Sequence, residues 1–250
     1  MARDFGSELG IQTWCFRSMK EHERVIEALK ACGVDRAEMS GFHFDPTGAD
    51  ADPAALLRKY RPAGITISTY GVHTFGADES KGRQAFELAR LAGFPSICSN
   101  FAAGGVAVAE KLCKEYGKKV ATHNHGRHHR YGPVWALEEL FGQTSPNVGL
   151  CLDTAWMLDS GENPVEMAKR FRRRLYGLHL KDFVFDRAGR PEDVVVGTGN
   201  LDLDALTRFL VETDYDGFLT VEYEGDVDNP IPATRKCVEA IRASFAKARA

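Results

Sequence analysis

The sequence predicts an α/β protein folded as a single (β/α)8 barrel, and three observations predict it. Short β-rich runs alternate with amphipathic segments along the whole chain, and strict alternation calls for a parallel sheet. Eight such units fit a chain of 250 residues, the usual size of a closed barrel of this kind. An open doubly wound sheet would carry a glycine-rich phosphate loop after its first strand. Here that strand runs instead into Cys15, Phe16, Arg17 and Ser18.

The predicted strands are 9–16, 35–39, 64–70, 95–100, 119–125, 148–153, 175–182 and 217–222. Helices are expected between and after them, at 21–32, 53–61, 79–92, 106–116, 133–141, 164–174, 202–212 and 232–248. Pro53, Pro133, Pro164 and Pro232 stand near helix starts, where a missing N–H costs little. Gly33, Gly93 and Gly117 stand just past helix ends, where a positive φ is often needed. Val25, Ile26, Leu29 and Cys32 recur at helical spacing. No linker or low-complexity segment divides the chain, so residues 1–250 are read as one domain.

Composition narrows the functional classes. The chain is 44% hydrophobic and 27% charged, ordinary for a globular protein. A formal net charge of −3 gives no general attraction to nucleic acid or to acidic membranes. No apolar run is long enough to span a bilayer, and the N-terminus lacks the apolar core of a signal peptide. Six scattered cysteines without a C-x-x-C pair read as buried, reduced thiols. The expectation is a cytoplasmic protein.

A barrel of this kind works at the C-terminal ends of its strands. In order, those ends offer Glu38, then His73, then His123 and His125, then Asp153, then His179, Lys181 and Asp182, then Glu222 and Glu224. Polar groups that end buried apolar strands are costly unless paired or bound to a metal. His123, Asp153, His179 and Glu222 close four consecutive predicted strands. Two imidazoles and two carboxylates make a mixed N/O set that suits one divalent ion such as Mn, Co, Fe or Zn better than Ca; Mg is also compatible.

At these residues the chain resembles the sugar phosphate isomerase/epimerase family, with its xylose isomerase-like TIM barrel. The stretches ATHNHG, VGLCLDTAWM, LHLKD, VGTGNLD and LTVEYE carry the resemblance, and it extends over nearly the whole chain. It implies a divalent metal held by the ends of the last four strands and maps the ligands onto His123, Asp153, His179 and Glu222. In the epimerase branches the first of these positions is a glutamate. His123 stands there in this chain, and the inosose dehydratases of the family carry a related histidine pattern. Two-carboxylate 3-epimerisation is therefore disfavoured, whereas metal-assisted enolisation with a single carboxylate base is retained.

The implied chemistry is proton abstraction next to a carbonyl on a keto-sugar or polyol-like substrate, by a sugar isomerase or a lyase. Glu222 is the first candidate base, with His125 or Glu38 as unligated substitutes, and His73 as proton donor to a leaving oxygen. Lys181 would hold a substrate oxygen or, alternatively, pair with Asp182 or Glu222. Trp14, Trp156 and Phe16 would wall the site or simply pack. The turn Gly197-Thr198-Gly199-Asn200 would bring backbone amides and Asn200 to the substrate, or serve only as a turn. Among the clustered histidines, His123 reads as ligand, His125 as its neighbour or a substrate contact, and His128 and His129 as solvated loop residues; Arg127 and Arg130 beside them would hold a substrate anion or, the favoured reading, belong to a surface loop.

Two rivals come from other classes. An apurinic endonuclease-like nuclease would need more ligands and a basic surface, yet the basic run 169–174 precedes a strand and so falls at the opposite end of the barrel. A non-catalytic barrel subunit of a larger enzyme is disfavoured by the complete ligand set. No nucleic-acid or membrane partner is expected, and homo-oligomerisation is left open.

Overall fold

Nine parallel strands form one sheet in a computed structural model that describes residues 3–49 and 51–250. They are β1 (Gly10–Gln12), β2 (Arg36–Met39), β3 (Thr66–Tyr70), β4 (His73–Phe75), β5 (Ser96–Phe101), β6 (Lys119–His123), β7 (Val148–Asp153), β8 (Leu175–Leu180) and, after the hairpin β9 (Asp182–Phe185) and β10 (Pro191–Val194), β11 (Phe218–Val221). The order across the sheet is β3-β2-β1-β11-β8-β7-β6-β5-β4. Its two ends are halves of one run, broken at Gly71–Val72. β3 pairs with β2 and β4 with β5, and Thr69 Oγ1 donates to the carbonyl of Ser96 at 2.9 Å. The sheet is thus curled into a ring of eight staves, the third of them split.

The strands read as near-continuous apolar runs because both their faces are covered. All six residues of β7 are buried, as expected for parallel strands enclosed by helices. The outer layer is α1 (His22–Ala31), α2 (Pro53–Tyr60), α3 (Glu79–Ala92), α4 (Gly105–Tyr116), α5 (Val134–Gln143), α6 (Thr154–Asp159), α7 (Pro164–Arg170), α8 (Leu203–Glu212) and α9 (Ile231–Arg249). Inside the ring, Cys98, Ala121, Cys151, Tyr176 and Phe218 form a smaller apolar cluster. Gly177 makes room for it, since a Cβ there would lie 2.0 Å from the Phe218 ring.

Four local differences from the sequence reading have physical causes. The first predicted strand stops at Gln12, whose side chain accepts the N–H of Trp14 and turns the chain into a 3-10 helix. The predicted strand 175–182 ends at Leu180, and the chain then folds into the antiparallel β9–β10 hairpin. Short α6 was not expected; the Asp153 carboxylate caps it by accepting from Trp156 N at 2.9 Å. The predicted helix 164–174 finishes as a 3-10 turn at Arg172–Arg174. This puts the basic run just before β8, at the barrel end away from the strand tips. All six cysteines are free and buried. Among the described residues, no helix is long and apolar enough to cross a membrane.

Candidate metal centre

Strand register brings four of the predicted residues together. β6, β7, β8 and β11 are consecutive neighbours in the sheet. Asp153 lies opposite His179, and His179 opposite Thr220, two residues before Glu222. The backbone N–H of Glu222 adds one more bond to the ladder, to the carbonyl of Leu180 at 3.2 Å. One donor atom from each of His123, Asp153, His179 and Glu222 lies within 4.8 Å of the others. His123 Nε2 is 2.9 Å from His179 Nδ1, and that nitrogen is 2.8 Å from Glu222 Oε2. His123 Nε2 also stands 3.6 Å from Asp153 Oδ2 and 3.8 Å from Glu222 Oε2.

These atoms suit a shared cation. Two ring nitrogens that face each other at 2.9 Å cannot both carry a proton. Asp153 Oδ2 is buried without a hydrogen-bond partner, although a buried carboxylate oxygen is costly when left alone. A divalent ion would satisfy both conditions, and the N/O donor set matches borderline divalent metals. In the metal-free protein, protons do part of this work. Burial opposes a charged His179, but Glu38 and Glu222 outweigh it and hold its pKa well above the ordinary value. His123 is also raised, against its burial, by Asp153 and Glu222. Burial would raise Glu222, yet His179, His123 and Lys181 bring it well below the usual carboxylate range.

Glu38 sits at the end of β2, where the sequence reading put it, and reaches across the barrel interior to His179. Its Oε2 lies 2.8 Å from His179 Nε2, on the far side of the ring from the cluster, and the residue is fully buried. A carboxylate can only accept, so Nε2 carries the proton and Nδ1 is turned to the other three residues. This is the carboxylate–histidine arrangement that fixes a metal ligand's tautomer, and it occupies one of the two Glu38 carboxylate oxygens.

His125 stands one pleat beyond His123, with the two Nδ1 atoms 3.0 Å apart. Burial first, then the neighbouring His123 and His129, lower its pKa to about 2, so it is neutral at physiological pH. His129 is half-buried and packs on His125 with ring centroids 5.0 Å apart, whereas His128 is exposed. The expectation of two solvated histidines therefore fails for His129. Arg127 is bound by Asp159 through both its guanidinium and its backbone N–H, which leaves no free Arg127 for a substrate anion.

A cavity of about 340 Å3 opens beside the cluster, lined by Gln12, Trp14, Phe42, His125, Glu222 and Glu224 among others. Trp14 is among these lining residues, with Nε1 donating to Glu224 Oε1 at 2.9 Å. Lys181 is buried, with Nζ 2.9 Å from Glu224 and 3.7 Å from Asp193. Its partners are neither Asp182 nor Glu222, and burial's pull on its pKa is overcome by the surrounding carboxylates. Asp182 instead accepts four backbone N–H groups of residues 197–201. The GTGN turn therefore wraps an internal carboxylate, and the Asn200 side chain donates to the carbonyl of Phe183 at 2.7 Å. Asn200 and Trp156 do not line the cavity; Trp156 packs edge-on against Phe183. His73 faces a separate cavity. Sequence reasoning missed Gln12, Phe42 and Asp193. Gln12, at the end of the first strand, carried the same strand-end signal as the others, whereas Asp193 sits in a hairpin that nothing local announced.

The comparisons agree with this fold. A family model described as xylose isomerase-like TIM barrel matches residues 98–244, a stretch that contains all four clustered residues. An inosose dehydratase of Clostridium botulinum is 32% identical over 158 residues, covering 53% of this chain and 50% of that protein. The chain spans about half the length of the curated relatives it matches. A structure of an uncharacterised protein from Parabacteroides distasonis superposes with a TM-score of 0.69 at 25% identity, over 94% of this chain and 97% of that one. The IolI protein, whose structure holds a zinc atom, superposes with a TM-score of 0.75 at 17% identity, over 96% and 98%. With more than half of its length matched by the family model, the chain belongs to the xylose isomerase-like TIM-barrel family.

Proposed function

We propose that the protein is a divalent-metal-dependent sugar isomerase or lyase that abstracts a proton next to a carbonyl on a keto-sugar or polyol-like substrate. Dehydration is the favoured reaction, and residues 1–250 act as one barrel domain. The observation that carries this reading is the convergence of His123, Asp153, His179 and Glu222 around the unpartnered Asp153 Oδ2, beside a cavity that Glu222 and His125 both line. The similarity to inosose dehydratases supports it. His123, Asp153, His179 and Glu222 would hold the ion, with Mn, Co, Fe and Zn as candidates. When bound, it supplies electrostatic stabilisation of the negative charge that develops on a carbonyl oxygen.

The chain's own residues move the proton. Glu222 is a carboxylate with Lys181 among the groups that hold it ionised, and it takes the proton from the carbon next to the carbonyl. With His123 Nε2 turned to the cluster, its Nδ1 carries the ring proton and donates to His125 Nδ1. His125 then holds its own proton on Nε2 and hydrogen-bonds the departing hydroxyl, which leaves as water with the proton that Glu222 took from carbon. Trp14 and Phe42, ring centroids 5.9 Å apart and edge to face, wall the cavity for the apolar face of a ring. Lys181 keeps Glu224 in place beside them and carries no proton in this scheme.

Solvent deuterium tests the scheme. In D2O, an inosose or keto-sugar recovered before full turnover should carry deuterium on the carbon next to the carbonyl, or substrate deuterated at that carbon should react more slowly. Turnover with neither exchange nor an isotope effect at that carbon would rule the scheme out. Glu38→Gln provides a second check, because an amide can donate to His179 and permit the wrong tautomer. Metal affinity should fall by about 10–100-fold, with activity recovering in excess metal. A variant with wild-type affinity in a metal titration would show that Glu38 does not orient His179.

A further inference from the structure

A second cavity, of about 480 Å3, lies at the same end of the barrel, between the segment after β2 and the β3–α3 region. Gly41 and Val72 line both this cavity and the one beside the metal cluster. The chain passes from one to the other at the break between β3 and β4, so that Gly71 faces the first cavity and His73 the second. His73 is only 8% exposed, and its Nε2 has no hydrogen-bond partner. Its ring is fixed edge to face on Phe75 at 4.6 Å and lies 5.7 Å from Tyr70. Tyr70 is buried too, and its hydroxyl lies close to Gly41, where an added Cβ would be 3.7 Å away. No hydrogen bond to a protein group engages that hydroxyl among the described residues.

The chemistry of this lining selects a ligand class. Burial lowers the pKa of His73 to about 4, with Asp45 acting weakly in the opposite direction. The ring is therefore neutral at physiological pH, and a hydroxyl suits Nε2 in either tautomer, because it both donates and accepts. Lys81 is the cavity's cation, and Asp45 and Asp78 supply two carboxylates. Asp45 is held by Thr47 and Asp78 by Ser80. One ammonium against two carboxylates does not gather a phosphate or a carboxylate ligand. The first cavity is at the small end of the range for ligand sites, roughly 300–1,000 Å3, and suits one ring.

We propose that the second cavity is a subsite for an uncharged, polyhydroxylated ring joined to the reacting one, with His73 Nε2 and the Tyr70 hydroxyl as its hydrogen-bonding groups. The substrate class is then a two-ring keto-sugar or keto-cyclitol derivative. The inference rests on the reading of the metal centre as the reacting site, and binding and chemistry can be tested apart.

Titration calorimetry with two unreactive polyols, single-ring myo-inositol and two-ring galactinol, tests it. The wild-type protein should bind galactinol about tenfold more tightly, the worth of one or two net hydrogen bonds. His73→Phe keeps the packing on Phe75 and removes the ring nitrogen; it should erase that advantage and leave myo-inositol binding unchanged. Tyr70→Phe, which keeps its ring, should remove part of the advantage and guards against a misfolded His73 variant. Equal wild-type affinities, no measurable binding of galactinol, or an undiminished galactinol preference in both variants would overturn the subsite. If the preference appears and is lost as expected but no α-deuterium exchange is found with a keto substrate, the subsite stands and the proton-abstraction reading falls.

Discussion

Asp153→Ala is expected to lose most of its metal and at least about 100-fold in turnover, the several kcal/mol that a Lewis-acid ion contributes to such a reaction. Wild-type protein purified without chelators should carry close to one divalent ion per chain by elemental analysis. Asp153 combines two tasks in one carboxylate. Oδ1 accepts the N–H of Trp156 and caps α6, while Oδ2 is buried with no hydrogen-bond partner. Alanine removes both and should also lower stability by about 1 kcal/mol through the lost cap. Asp153→Asn separates them: its carbonyl oxygen still caps the helix, but the anionic oxygen that faces the histidines is gone. Both variants should be metal-poor, and only the alanine should melt at a clearly lower temperature. Full metal retention in either one would remove Asp153 from the ligand set.

Much of this arrangement could be read along the chain, for a reason visible in β7. Val148–Leu152 is an unbroken apolar run, and Asp153 ends it. A charged group there stands out because burying it alone is costly. The same contrast marked His123, His179 and Glu222, and their meeting required only that strands adjacent in sequence be adjacent in the sheet. Glu38 shows the limit of that rule. It too ends a buried strand, but β2 is not a neighbour of β8 in the sheet, and its contact with His179 crosses the barrel interior. Linear order says nothing about which residues meet there. Asp182 likewise looked like a strand end facing the site. The deciding fact is a loop of residues 197–201 that folds back with four amides, and such a loop is specified by tertiary packing. The β9–β10 hairpin delivers Asp193 to Lys181 across an exposed turn at 186–190, and its second strand is exposed or half-buried. Burial leaves a pattern in sequence, and contacts made by exposed segments across the barrel mouth do not.

Single-residue replacements along HNHGRHH should separate four histidines into three behaviours. His123→Ala removes a nitrogen that lies 2.9 Å from His179 and within 4 Å of both Asp153 and Glu222. The remaining carboxylates are then left buried with fewer cationic partners. Metal binding and activity should both be abolished, since a bound ion is held by its full set of deprotonated ligands. His125 touches the cluster only through His123 Nδ1. His125→Ala should keep its metal and lose activity by about 10²–10³-fold, the usual contribution of one hydrogen-bond donor aimed at charge that develops in the transition state. The loss should fall on kcat, with the metal titration unchanged. His128 is exposed, so His128→Ala should be indistinguishable from wild type. His129 packs on His125, and its removal loosens that ring without touching the cluster. A partial loss of activity with full metal content is the expected outcome for His129→Ala. The decisive comparison is metal content in His123→Ala against the His128→Ala, His129→Ala double variant. Retention by the first and loss by the second would mean that β6 presents the opposite face to the barrel interior, and the metal centre could not be built from His123 at all.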